Sequence, residues 1–275
     1  MDLLRPLVPS DAAACTRVSS SRGWPHGEAE WHMVLEQGEG LGVMIDGRLE
    51  GTVVLTRFGQ SLASISMMVA TPGLGRSGLG ASLLTAALEA AGAATVFLYA
   101  TDMGHGLYLR HGFVDAGATV RLLGAFAGRP PHRTDIRHLR REDHRAVLAL
   151  DEEAHGAQRH GLMAWHLQAA DQREVAERDG VVVGFGLARD GLGRRILGPV
   201  VARDEEATIG ICSALAAGVT LPVQLDVAPG ENGLLAWGRA AGLAAAEARS
   251  LMVRHGRPLP GERGLIRALA SRAHG

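Results

Sequence analysis

A glycine-rich turn between an apolar strand and a helix constrains the fold of this 275-residue chain more than any other segment. The apolar run that begins at Ile65 stops before Pro72, and a glycine-rich stretch follows at 73–80. Beyond it, apolar residues recur at the spacing of a helical face: Leu79, Leu83, Leu84, Ala87, Leu88 and Ala91. The first N–H groups of a helix lack internal partners, and the helix dipole favours negative charge there. The turn therefore predicts a site for a phosphate or pyrophosphate.

Two familiar phosphate-binding motifs do not explain this turn. A P-loop needs a lysine after its last glycine, and the chain contains no lysine at all. A Rossmann turn needs G-x-G-x-x-G directly after the first strand, with an acidic residue about 20 positions later. Gly73, Gly75 and Gly78 satisfy that spacing, but several strands' worth of sequence precede them and residues 93–101 contain no acid.

A third motif fits better. The segment Gly75-Arg76-Ser77-Gly78-Leu79-Gly80 resembles the acetyl-CoA signature [Q/R]-x-x-G-x-[G/A] of the GNAT N-acetyltransferases. One position departs from it, because Gly75 stands where the family prefers Gln or Arg. The resemblance implies that acetyl-CoA is the co-substrate and that the strand before the loop pairs with its pantetheine arm. The implied cofactor-binding residues are Met68, Val69, Ala70, Gly75, Arg76, Ser77, Gly78, Leu79, Gly80, Ala81 and Thr101.

A second segment strengthens the resemblance. After an apolar strand at 95–100, residues 101–113 look like the family element N-x-x-A-x-x-L-Y-x-x-x-G-F. Four positions match, namely Leu107, Tyr108, Gly112 and Phe113, while Thr101 replaces Asn and Gly104 replaces Ala. The two elements have the order and separation found in the family. The chain is therefore identified as a member of the GNAT superfamily.

Composition limits the classes of partner. Hydrophobic residues make up 47% of the chain and charged residues 21%, which is typical of a globular protein. With a formal net charge of −1, no overall field attracts nucleic acid or an anionic membrane. No uninterrupted apolar stretch reaches the ~20 residues that span a bilayer, and the first residues do not resemble a signal peptide. We expect a cytoplasmic monomer or homodimer.

The element pattern predicts a mixed α/β fold that occurs twice. Residues 1–127 read as one domain, with a hairpin at Asp46-Gly47 and a mostly antiparallel sheet flanked by helices. A Pro/Gly/Arg linker follows at 128–133, and the pattern starts again over 134–275. The chain thus resembles tandem GNAT enzymes, and the resemblance implies that the second domain helps to form the acceptor pocket.

The second domain lacks the features that would bind CoA. About 130 positions after the glycine-rich turn, the sequence reads Asp204-Glu205-Glu206, and acids there would repel a pyrophosphate. The two tyrosines of the chain, Tyr99 and Tyr108, both lie in the first domain. We therefore expect one CoA site per chain, in the first domain.

Transfer of an acyl group from a thioester to an amine requires a proton donor for the leaving thiolate. A phenol, with a pKa of ~10, can protonate a thiolate whose conjugate acid has a pKa of ~8.5. Tyr108 stands at the family's position for that acid, although it could instead be a core tyrosine. Backbone N–H groups at the end of the strand, near Val69 and Ala70, could polarise the thioester carbonyl.

The general base and the acceptor site are less defined. Glu30 acting through a water, or His26, could take the proton of the amine, unless both simply belong to the solvated first turn of a helix. Trp24 and Trp31 could line the acceptor pocket or pack in the core. Asp226 could face a cationic acceptor or be an ordinary surface acid. The acceptor is expected to be a small-molecule amine.

Three histidines in the second half of the chain raise the question of a metal site. His155, His160 and His166 lie in a helical stretch, but their spacing and the absence of a nearby Cys or paired carboxylate do not favour a zinc site. No metal cofactor is expected.

Because Gly75 and Thr101 depart from the family pattern, the chain could also be a non-catalytic regulatory module that binds acyl-CoA.

Overall fold

The computed structural model describes residues 3–24, 26–74, 78–128, 135–191 and 193–274. The chain folds into two compact units. Unit 1 comprises 1–114, 252–257 and 273–275, and unit 2 comprises 115–251 and 258–272. Most of the sequence-predicted linker at 128–133 lies outside the described residues, so the predicted domain boundaries stay a prediction.

Unit 1 is a mixed α/β unit whose elements follow the predicted order. Its strands and helices are β1 (Leu3–Leu7), α1 (Ala12–Ser20), α2 (Glu28–Gln37), β2 (Glu39–Ile45), β3 (Arg48–Phe58), β4 (Leu62–Ala70), α3 (Leu79–Ala91), β5 (Thr95–Ala100) and α4 (Asp102–Arg110). Strand β6 (Phe113–Gly124) begins in this unit. The strand order is β1-β2-β3-β4-β5, antiparallel except for the parallel pair of β4 and β5.

Unit 1 is held together by the apolar face of α3 on the sheet. All six residues that the helical periodicity singled out are buried: Leu79, Leu83, Leu84, Ala87, Leu88 and Ala91. They pack with Val53 and Leu55 of β3 and with Val96 and Leu98 of β5. Gly51 in β3 allows this close packing, since a Cβ there would lie 2.4 Å from Leu79 Cδ2. The hairpin prediction is also confirmed, with Asp46 and Gly47 both at positive φ.

Unit 2 repeats the pattern with additional strands. Its elements are β7 (Ile136–His138), α5 (His144–His155), α6 (His160–Ala169), β8 (Gln172–Arg178), β9 (Val181–Gly191), β10 (Arg194–Ala202), α7 (Glu205–Ala216), β11 (Val223–Val227), α8 (Asn232–Ala240), β12 (Ala244–Arg254) and β13 (Ile266–Leu269), with the end of β12 in unit 1. The strand order in the unit is β12-β6-β11-β13-β10-β9-β8-β7. Helix α7 packs its buried residues, among them Ile211 and Leu215, on this sheet.

The predicted fold class is confirmed: the chain is a mixed α/β protein with a mostly antiparallel sheet flanked by helices. Along the described residues, no helix is long and apolar enough to cross a membrane. The expectation that unit 2 contributes to an acceptor pocket stays a prediction.

Candidate active site

The site begins where β4 and β5 stop pairing. These parallel strands are in register over three residue pairs, from Leu62 opposite Thr95 to Ser64 opposite Phe97. Along the described residues of the two strands, the register does not extend to their ends at Ala70 and Ala100. Strand backbone that leaves its neighbour inside a sheet offers N–H and C=O groups to a ligand that contains amides.

A bulge in β4 marks the start of this opening. Thr52 of β3 pairs with Val69 of β4, and Val54 of β3 pairs with Ser66 of β4. Two steps along β3 thus correspond to three steps along β4. The extra residue lies around Met67, which has a φ of 51°. Positive φ is unfavourable for a side chain like that of Met, and such strain is concentrated at functional sites. The Thr52 hydroxyl stabilises the bulge by donating to the Met67 carbonyl at 2.8 Å.

Tyr108 lies against this bulge. Its hydroxyl donates to the sulfur of Met68 at 3.6 Å, and its ring meets that of Phe113 edge to face, with the ring centres 5.8 Å apart. Burial raises the pKa of Tyr108 to about 12. The phenol is therefore protonated at neutral pH and can act as a donor next to β4.

Gly104 gives Tyr108 the space to occupy this position. The two residues are one helical turn apart on α4, and a Cβ on Gly104 would lie 2.8 Å from Cε2 and 3.3 Å from the hydroxyl of Tyr108. This packing gives a physical role to the glycine that replaces the family's alanine. Thr101, predicted to bind the cofactor, is the N-cap of the same helix, and its hydroxyl accepts from the Gly104 N–H at 3.2 Å.

The predicted anion site is the start of α3. Gly78 is its N-cap, exposed and at a φ of 84°, a left-handed conformation that favours glycine. Leu79 anchors the first turn in the core, while Gly80 and Ala81 are half-buried. A Cβ on Gly80 would contact Leu107 at 3.4 Å and Met68 at 3.6 Å, so the start of α3 adjoins the bulge. Gly75, Arg76 and Ser77 lie outside the described residues.

Glu30 lies between two histidines. In the first turn of α2, one carboxylate oxygen of Glu30 is 2.9 Å from His26 Nδ1 and the other is 3.1 Å from His274 Nε2. The side chain of Glu30 is 14% exposed. Burial raises its pKa, but the two histidine contacts outweigh that effect and hold the pKa of Glu30 well below its usual range. The acid is therefore ionised at neutral pH. The sequence pattern identified His26 and Glu30 but gave no sign of His274.

The two tryptophans of the predicted acceptor site have different surroundings. Trp31 is fully buried, and its indole N–H donates to the Ser19 hydroxyl at 3.0 Å. Trp24 is half-buried, and its ring meets the His26 ring edge to face. Arg22, which the sequence did not single out, donates from Nε to the carbonyl of Ala70 at 2.7 Å. This bond ties the connection between α1 and α2 to the open end of β4.

In unit 2, side chains of the chain itself satisfy the equivalent helix start. Asp204 is the N-cap of α7, and its carboxylate accepts from the Ala207 N–H at 2.8 Å. Arg178 donates to the other oxygen of that carboxylate at 2.6 Å and also contacts Glu206. An anion would have to displace a carboxylate that already occupies the helix N-terminus.

A strand fills the equivalent opening in unit 2. Strands β10 and β11 pair in parallel over three residue pairs, from Arg195 opposite Val223 to Leu197 opposite Leu225. Beyond that point β13 lies between them, with Ala268 opposite Val200 of β10 and also opposite Val227 of β11. The backbone edges that stop pairing in unit 1 are thus paired with the chain's own strand in unit 2.

Asp226, predicted to bind the acceptor, is buried at the end of β11. Arg121 donates to both of its carboxylate oxygens, at 2.8 and 2.7 Å, and Arg272 lies 3.3 Å away. Its charge is therefore already compensated by two guanidinium groups. Its predicted role in acceptor binding has no further support from this geometry.

The histidines of α5 and α6 are not arranged as metal ligands. His155 is buried, and its Nδ1 lies 2.9 Å from the Asp151 carbonyl. Across the five described ranges, no group of three or more His, Cys, Asp or Glu side chains is placed to hold a metal ion.

Comparison with known proteins agrees with this fold. Residues 147–267 match the family model described as an acetyltransferase (GNAT) domain, so the match falls on the half whose motifs are weaker. The Bacillus subtilis protein YitH, an uncharacterised N-acetyltransferase, is 28% identical over 239 residues, which is 84% of either chain.

Two solved structures share the fold over nearly the whole chain. A crystal structure from Pyrococcus horikoshii superposes with a TM-score of 0.83 at 19% identity, covering 100% of this chain and 96% of that one. A tandem GNAT protein from the clavulanic acid biosynthesis pathway superposes with a TM-score of 0.68 at 15% identity, covering 94% and 100%. These two structures show that the chain has a GNAT fold, and the family match and the curated relative agree with the resemblance that the sequence motifs predicted.

Proposed function

We propose that this protein transfers an acetyl group from acetyl-CoA to the amine of a small molecule, by direct attack in a ternary complex at unit 1. The observation that carries the proposal is the hydroxyl of Tyr108 against Met68, at the bulge in β4 just beyond its last residue pair with β5. A buried phenol beside strand backbone that is open to a ligand supplies a proton donor for a leaving thiolate and backbone partners for the carrier of the thioester.

Binding of the co-substrate would use the backbone of two elements. The pantetheine arm, which contains two amides, pairs with Met68, Val69 and Ala70 in the opening between the strands. The pyrophosphate lies on the first N–H groups of α3, at Gly78, Leu79, Gly80 and Ala81, where the helix dipole favours it. Gly75, Arg76 and Ser77 complete this loop in the proposal.

The reaction would then need two proton transfers. The amine attacks the thioester carbon, a C–N bond forms, and the oxyanion is stabilised by strand N–H groups near Val69. As the C–S bond breaks, Tyr108 donates its proton to the leaving sulfur. Burial raises the pKa of Tyr108, which by itself disfavours the transfer. The same burial also raises the pKa of the leaving thiol, so the two effects offset each other.

The proton of the amine leaves through the group around Glu30. The carboxylate is ionised and can act through a water or through His26, whose ring it contacts. Trp24, half-buried beside His26, is our candidate for a wall of the acceptor site. Trp31 and Asp226 instead support the fold, since one is fully buried and the other is held by Arg121.

Release of free CoA thiol tests the proposal. The full chain is mixed with acetyl-CoA and a panel of amines that spans amino acids, aminosugars, polyamines and aminoglycosides. We expect at least one amine class to release thiol well above the rate of hydrolysis without amine. Binding of acetyl-CoA without turnover of any amine would favour the non-catalytic module, and no binding at all would contradict both functions.

A further inference from the structure

We propose that His274 is a positioning residue, which holds Glu30 in place so that His26 accepts the proton of the attacking amine. The inference rests on the proposed function and adds a residue that no motif marks. It also chooses between the two bases that the sequence left open, by assigning proton uptake to the imidazole and orientation to the carboxylate.

The contacts define which ring atom can take a proton. A carboxylate has no hydrogen to donate, so each ring nitrogen beside Glu30 must bring the hydrogen of the contact. His26 Nδ1 lies 2.9 Å from the carboxylate, so in the proposal the neutral ring carries its hydrogen on Nδ1 and keeps a lone pair on Nε2. His274 Nε2 lies 3.1 Å from the other oxygen and is the ring atom that faces the carboxylate. This is the base–orienter arrangement of catalytic triads, with one additional donor behind the acid.

Burial separates the roles of the two histidines. The side chain of His274 is 1% exposed, whereas that of His26 is 19% exposed. A substrate amine can thus reach the ring of His26 but not that of His274. The carboxylate between them is fixed at both oxygens, so it cannot rotate away when His26 becomes positively charged. A fixed negative charge of this kind stabilises the imidazolium that proton uptake creates.

The segment that contains His26 and Glu30 is attached to the end of β4, the strand proposed to pair with the pantetheine arm. Arg22 donates to the carbonyl of Ala70, and Trp31, the residue after Glu30, donates to Ser19 at the end of α1. The first turn of α2 is therefore coupled to β4 through two hydrogen bonds. In the proposed step, the amine N–H proton passes to His26 Nε2 while the thiolate takes its proton from Tyr108, and solvent restores both groups.

Two substitutions of His274 separate donation from mere packing. The side chain of Gln places its amide nitrogen near the position of Nε2, so a donor to Glu30 is kept. The shorter side chain of Asn places its amide nitrogen near the position of Nδ1, from which it does not reach the carboxylate of Glu30. We expect His274→Gln to keep kcat within about threefold of wild type. His274→Asn should lower kcat by about tenfold or more with the KM for acetyl-CoA unchanged. His32→Asn is the matched control, because His32 forms an exposed pair with Glu36 on the same helix.

A spectroscopic readout makes the inference independent of turnover. Nitrogen-15 NMR of the ring of His26, assigned with the His26→Gln variant, should report the Nδ1–H tautomer in wild type and in His274→Gln. His274→Asn should show a mixture of tautomers. Equal kcat and equal tautomers in both His274 variants would overturn the inference. If no amine is turned over but the tautomers behave as expected, the proposed function fails and the positioning of Glu30 stands.

Discussion

The hydroxyl of Tyr108 donates to the sulfur of Met68 at 3.6 Å, next to the bulge in β4 that lies beyond the last residue pair of β4 with β5. This pair connects the second motif of the sequence with the strand that precedes the first motif. It also places a protonated phenol where the sulfur of a bound thioester is proposed to lie. We therefore expect the identity of residue 108 to control the chemical step more than the binding step.

Replacing Tyr108 with Phe should remove the acid and keep the packing on Phe113. We expect kcat to fall about one hundredfold or more, since general acids contribute about 10² to 10⁴ in rate. The affinity for CoA should change little, because the hydrogen bond of the hydroxyl goes to the Met68 sulfur and the ring keeps its packing. Thiol release measures the first quantity and calorimetry the second.

Tyr99→Phe is the matched control, since Tyr99 is the other of the two tyrosines of the chain and lies in strand β5, which precedes α4. It should keep wild-type activity. Equal activities of the two variants would show that the phenol of Tyr108 takes no part in the reaction.

Adding a methyl group at Gly104 should move the ring of Tyr108. The new Cβ would lie 2.8 Å from Cε2, so the ring must shift away from its present position. We expect a loss of about tenfold in kcat, from the misplaced acid. Gly106→Ala on the same helix is the control, because its Cβ meets only Arg110 Nη1 at 3.6 Å.

Both alanines also favour the helix by about 0.5–1 kcal/mol over glycine. Gly106→Ala should therefore be slightly more stable than wild type and fully active in thermal melts and thiol assays. A fully active Gly104→Ala enzyme would mean that the contact with the ring does not set the position of the acid.

A carboxylate at residue 78 should imitate the occupied helix start of unit 2. Asp204 caps α7 with its own carboxylate, and at Gly78 no atom of the described residues lies within 4 Å of the place where a Cβ would stand. Gly78→Asp places a negative charge beside the proposed pyrophosphate site. We expect the dissociation constant for CoA to rise by about tenfold, with a smaller effect at high salt.

Gly78→Asn has the same shape and bears the same backbone strain at positive φ, but it carries no charge. It should bind CoA more tightly than the Asp variant. If the two variants bind equally well, the N-terminus of α3 does not hold the phosphates.

His155 should make unit 2 less stable in acid. Burial, reinforced by the nearby charge of Arg159, lowers the pKa of His155 to about 3 from 6.5. The folded unit keeps the ring neutral, while the unfolded chain takes up a proton below pH 6.5. The stabilisation is thus complete above that pH and is lost as the pH falls, by about 1.4 kcal/mol per pH unit.

His155→Asn keeps a donor for the Asp151 carbonyl without titrating. Urea unfolding over this pH range should therefore give a flatter dependence of the unfolding free energy for the variant than for wild type. Parallel pH dependences would show that the ring is protonated in the folded unit as well.

Local patterns predicted unit 1 well because its site consists of segments that are continuous in sequence. The helix at 79–91 and the strand at 95–100 have strong periodicity and clear boundaries. Strand β12 was not predicted, because Ala244-Ala245-Ala246-Glu247-Ala248 favours a helix and pairing with other strands decides its conformation. Strand β13 was not predicted either, because it is only four residues long and its conformation depends on pairing with β10 and β11, between which it lies.

The candidate base shows the same limit. His26 and Glu30 are four residues apart, so a pattern at the start of α2 could reveal them. His274 reaches the same carboxylate from a distant part of the chain, and nothing in the local sequence around it indicates this contact. The three-dimensional fold alone brings the second histidine to Glu30.

Calorimetric titration of the full chain with acetyl-CoA tests the central claim most directly. Within the described parts of unit 1, no side-chain hydrogen bond caps α3 at Gly78, and β4 and β5 stop pairing before their ends, whereas Asp204 and β13 occupy the equivalent places in unit 2. We predict saturation at one acetyl-CoA per chain, with the same stoichiometry in the Tyr108→Phe variant. No heat at millimolar acetyl-CoA, or two sites per chain, would contradict the account.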